Sequence, residues 1–216
     1  MTLKIRRTIL NLLLVPAVAA VAAVSAVWFV WSRNEYALGF DGPLLTAQWW
    51  SSWRPSEGSD FVWALAGLSF MAIIPLLSEL ILRRRFSRSP SPEMFFFRFF
   101  LLTLPLQVCR LALSPIVSEM LPFEMPITWE LTVARIAWFG RFLGITALLN
   151  IGLYTSDVPF RRSGTILGMG SLAALAVAVM LPLDSTQLLS NLLFRSGAET
   201  ALALASVVLE ILAVLS

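Results

Sequence analysis

Among the charged residues within or beside the long apolar stretches of this 216-residue chain are Arg110, Glu130, Arg135, Arg141 and Glu210. An arginine at the centre of a bilayer costs about 2.5–3.5 kcal/mol on insertion scales, so such a residue needs a partner or a purpose. Guanidinium groups bind carboxylates and phosphates through parallel N–H donors. Four roles are open to the group. The first is an interhelical ion-pair network, with Glu210 answering Arg110 or Arg141. The second is a site for an anionic or amphipathic ligand. The third is a charge or proton relay, which the missing histidines and scarce acids limit. The fourth is a voltage sensor, against which "RIAWFGR" places Trp138 where a repeat every third residue calls for another cation.

Other chemistries lack their residues. With no histidine, the chain has no His ligand for haem or zinc and no Ser-His-Asp or Cys-His set. Lys4 is the one lysine and Cys109 the one cysteine, so a late-helix Schiff base, an intrachain disulfide and an iron–sulfur cluster have no ligands. Cys109 reads as a small buried hydrophobe. No phosphate-binding loop, nucleophile elbow or pair of intramembrane carboxylates occurs. The expectation is a protein that is not an enzyme, with no catalytic residues, no cofactor and no metal.

The elements that must position the arginines are apolar. Hydrophobic residues make up 58% of the chain and charged residues 13%, against roughly 45–50% and 25% in ordinary soluble domains. Apolar runs near residues 9–31, 61–82, 99–121, 129–154, 165–183 and 198–216 reach the ~20 residues that span a bilayer. The expected fold is an all-α polytopic bundle of about six transmembrane helices, forming one domain over residues 1–216. Prolines 16, 75, 105 and 115 interrupt backbone hydrogen bonding, and kinks are expected there. The start can also be read as a signal peptide cleaved near Ala26. Its apolar stretch of about 23 residues exceeds the usual 7–15, which favours an uncleaved first helix.

Charge bias gives an orientation. Lys4, Arg6, Arg7, Arg83, Arg84, Arg85, Arg88, Arg161 and Arg162 flank one side, against Arg33, Arg54 and Arg195 on the other. The positive-inside rule then puts the N-terminus in the cytoplasm of a bacterial-type inner membrane. A net charge of +3 reflects these flanks rather than a nucleic-acid partner. The expected surroundings are the bilayer and other membrane subunits or further copies of the chain. Trp49, Trp50 and Trp53, in the outer loop 32–60, suit a short interfacial helix anchored at the headgroups. A lid over an external pocket is the other reading. Residues 184–194 form a second candidate surface element.

Position within the helices separates the arginines. Arg110 and Arg141 fall at similar depth near mid-bilayer, Glu210 lies inward of them, and Arg135 lies further out. Glu130 stands within about 20° of the face of Arg141 but about 16 Å along the axis, so a polar strip is possible and a direct bond is not. Ala137, Gly140, Gly144 and Ala147 form a small-residue stripe containing G-x-x-x-G, and Gly164 and Gly168 repeat the pattern. Spans four and five are expected to pack through these stripes, with Arg141 at the edge of the contact and Arg135 turned away. Arg98 is expected to snorkel at the inner surface, and Glu79 to pair with Arg83 one turn on.

The leading functional reading is a sensory or regulatory membrane module that relays a cue to a partner or to a cytoplasmic domain beyond Ser216. A transport component binding a small anionic or amphipathic solute is the alternative, as is a structural subunit of a larger membrane complex.

Overall fold

The computed structural model describes residues 3–38, 58–86, 91–113, 127–155, 163–188 and 194–196. Five α-helices account for most of them: α1 (Leu3–Leu38), α2 (Gly58–Arg85), α3 (Pro92–Thr103), α4 (Ile127–Thr155) and α5 (Ser163–Met180). Between α3 and α4 the chain continues from Thr103 as a ten-residue 3-10 helix, Leu104–Leu113.

Four of the described helical runs are long and apolar enough to cross a membrane: Lys4–Val30, Ala64–Arg85, Glu93–Leu113 and Thr128–Gly152. The fifth expected span is α5, whose 18 residues rise about 27 Å, slightly less than a ~30 Å hydrocarbon core. The sixth, 198–216, lies outside the described residues, as do Trp49, Trp50, Trp53, Glu210 and Pro115.

The helices pack through narrow stripes. On α1 the buried residues are Leu10, Ala17, Ala20, Val24 and Val27, a spacing that keeps one face toward the bundle while Leu12, Val15, Val18 and Phe29 face outward. This stripe runs past Ala26 without a break, and Pro16 sits inside a continuous helix. On α2 the stripe is Leu65, Leu68, Ala72, Pro75 and Glu79. Pro75 likewise sits inside a continuous helix.

Pro105 does mark a change. It has no N–H for the carbonyl of Leu101 and its ring crowds that turn, so an α-helix is weakened where the 3-10 form begins. Serine starts this span: the Ser91 hydroxyl accepts from the Met94 N–H at 3.5 Å, and Pro92 occupies the first turn.

Expected and observed packing differ at the glycines. A Cβ on Gly140 would stand 2.8 Å from Leu106 Cβ and 3.3 Å from the Thr103 carbonyl oxygen, and one on Gly144 would stand 3.1 Å from Thr103 Oγ1. The G-x-x-x-G face of α4 therefore receives the third span, not α5. The fifth helix touches α4 at a different glycine, Gly170, whose Cβ position lies 3.4 Å from Thr146 Cβ, while Gly168 faces open space. A further difference concerns 184–194. Its described part belongs to an antiparallel ribbon, β1 (Leu183–Leu188) with β2 (Phe194–Ser196), pairing Asp184 with Arg195.

Candidate functional site: a polar column on the third span

At 120° per residue a 3-10 helix has three straight faces, because positions i and i+3 eclipse. Val108 and Leu111 share the face of Pro105 and are buried against Ala20, Val24 and Val27 of α1 and Leu65, Leu68 and Ala72 of α2. Leu106 and Cys109 share the next, toward α4: Leu106 lies over Gly140, and the Cys109 thiol donates to the Val133 carbonyl at 3.5 Å. The third face lines up Gln107 with Arg110. In an α-helix those two would diverge by about 60°. The 3-10 form thus aligns Gln107 and Arg110 on a face that Leu104 and Leu113 complete, with Leu113 buried against Ala134 of α4.

Arg110 is partly buried on this face. Its Nη2 approaches Met71 Sδ on α2 at 3.8 Å, and its Nε is buried with no hydrogen-bond partner. A thioether is a weak acceptor, so the strongest donor set in the segment meets little that answers it. The backbone of Arg110 lies further out than Arg141, since Gly140 meets Leu106. The guanidinium lies against Met71 of α2.

The other candidates are spread along α4. Arg141 is half-buried, with its Cζ 5.3 Å from the centroid of the Trp138 ring. That ring stacks in turn on Phe142 at 5.7 Å. A cation over indole is favourable by roughly 0.5–2 kcal/mol, more as water is excluded. Trp138 is 5% exposed, and its buried Nε1 has no hydrogen-bond partner. Arg135 is exposed, and Glu130 is half-buried in the first turn of α4.

A second polar layer, at the opposite end of the third span, differs from expectation. Arg98 does not snorkel, and Glu79 does not pair with Arg83. Arg98 Nε donates to Glu79 Oε2 at 2.9 Å and Nη2 bonds Oε1, a two-pronged ion pair between α2 and α3. The side chains are 3% exposed at Glu79 and 14% at Arg98, whereas Arg83 lies at the surface. Beside them Arg6 is 4% exposed, its Cζ 5.4 Å from the centroid of Phe95. The signal was present in the spacing: Glu79 continues the buried stripe of α2, and Arg6 that of α1. A charge on a packing stripe faces inward, whatever basic residue stands one turn away.

Among the described residues no group of His, Cys, Asp and Glu could hold a metal ion. The fold and these two layers fit a helical membrane protein with buried cations at two depths. Compared with known proteins, the chain matches no family model, no curated protein and no solved structure.

Proposed function

We propose that the chain is a non-enzymatic regulatory module of the cell membrane, with about six spans and a cytoplasmic N-terminus, that relays an external or intramembrane cue to a partner protein. The observation that carries this reading is the ten-residue 3-10 helix in the third span. Such runs rarely exceed three or four residues, and a long one inside a helix often marks a hinge. The segment has an accessible alternative. If Leu104–Arg110 became α-helical, each residue would turn about 20° less and rise about 0.5 Å less. Arg110 would then swing by about 140° and move about 3.5 Å along the axis relative to Thr103. A cue acting on Arg110 would thereby move the outer end of the third span against α4. This is the kind of two-state element through which a relay operates.

The test measures exchange between the two forms. Spin labels replace Phe97 and Ala112 in the full chain, held in lipid nanodiscs, with Cys109 changed to alanine. The expected result is two distances differing by about 4–5 Å, with Pro105→Ala raising the shorter, α-helical population. One fixed distance, insensitive to Pro105→Ala, would remove the basis of the relay.

A further inference from the structure

The geometry points to Arg110 as the anchor of a binding site for the oxyanion head of an amphipathic molecule, a carboxylate or phosphate carried on an apolar tail. Two observations converge. The Arg110 Nε is a buried donor without an acceptor, and its Nη2 meets only a sulfur, at 3.8 Å. The ion pair found among the described residues, Glu79 with Arg98, belongs to the other polar layer, so it does not neutralise this one. A buried guanidinium in an apolar bundle favours an oxyanion that can accept from its planar fork.

The surroundings specify the rest of the ligand. Met71 borders the guanidinium, and Gln107 shares its face of the 3-10 helix. A small hydrated anion would lose its water there without replacement, whereas an acyl chain gains apolar contact. The 3-10 form places Gln107 and Arg110 in line, so an occupant that contacts both favours this form over the α-helix. For the consequence of occupancy this inference rests on the relay reading. The binding itself does not.

Purified full-length chain in non-ionic detergent is titrated separately with palmitate, phosphatidylglycerol and inorganic phosphate, and bound molecules are counted by native mass spectrometry. We expect palmitate or phosphatidylglycerol to bind saturably at one per chain, and inorganic phosphate not to bind. Palmitate alone identifies a free carboxylate as the head; phosphatidylglycerol alone identifies a lipid phosphate. Arg110→Gln should weaken binding at least tenfold. Arg110→Lys, which keeps charge but loses the fork, should weaken it less, and carries the test if the glutamine variant does not fold. Glu210→Gln should leave affinity within about twofold. The site is overturned by no saturable binding, by equal binding of inorganic phosphate, or by affinity unchanged in both Arg110 variants. It is also overturned if Glu210→Gln lowers thermal stability as much as Arg110→Gln and the double variant loses no more, because Glu210 is then the acceptor. Binding without any change in the spin-label distances would reject the relay and keep the site; exchange without binding would do the reverse.

Discussion

Glu79 and Arg98 carry opposite charges at one level of neighbouring helices, and each is the other's main reason for being buried. Their two-pronged contact satisfies both groups, so removing one leaves a buried charge without its partner. Stranding one member of a buried pair typically costs about 3–5 kcal/mol, whereas replacing both with apolar groups of similar volume is often nearly neutral. Glu79→Gln is therefore expected to lower the unfolding free energy by about 3 kcal/mol, and Glu79→Leu with Arg98→Met to recover most of that loss. Chemical unfolding in mixed micelles measures the cycle. Equal, additive losses in the single and double variants would show that the two side chains do not depend on each other. At this scale the sequence was half legible. It showed which charges are buried in apolar stretches, but pairing by nearest neighbour along one helix missed a partner 19 residues away on the next. Reading Glu79 against the stripe Leu65, Leu68, Ala72 and Pro75 would have turned it inward.

The helices themselves were legible because long apolar runs have few alternatives in lipid, where backbone groups must be satisfied within the segment. Their packing partners were less so. A G-x-x-x-G face says that another backbone comes close, not which one. Here the third span occupies it, where Pro105 has already tightened the helix, and the 2.8 Å approach to Leu106 Cβ leaves no room for a methyl group. Gly140→Ala is expected to destabilise the bundle by about 1–3 kcal/mol, the usual range for overpacking. The control is Gly67→Ala on α2, where nothing lies within 4 Å, and which is expected to leave thermal stability unchanged or slightly raised. If Gly140→Ala melts no lower than Gly67→Ala, the third span does not rest on that face. The 3-10 form was harder to foresee. Over ten mostly apolar residues, periods of 3.0 and 3.6 are nearly indistinguishable, and only Pro105 marked the site of the change.

At the scale of the whole molecule, the antiparallel course of α1, α2 and α3 gathers Arg6, Glu79 and Arg98 at one end, beside the exposed Arg83, Arg84 and Arg85. The same end carries Lys4 and Arg7, so the buried polar layer and the basic flank face one side of the membrane. In the sequence, nine basic residues stand in the flanks assigned to that side against three in the others, a bias that the positive-inside rule reads as cytoplasmic. If the chain relays a cue, its orientation decides where the cue arrives: with the basic flank inside, Arg110 falls toward the outer half of the bilayer. Cysteines at Ser56 and Ser87, in a Cys109→Ala background, separate the two possibilities through a membrane-impermeant maleimide applied to intact cells. Ser56→Cys is expected to label at once, and Ser87→Cys only after permeabilisation. The opposite pattern would place Arg83, Arg84, Arg85 and Arg88 outside and turn Arg110 toward the cytoplasmic leaflet. An acyl anion would then have to reach it from within the cell, and the third span would move its inner rather than its outer end.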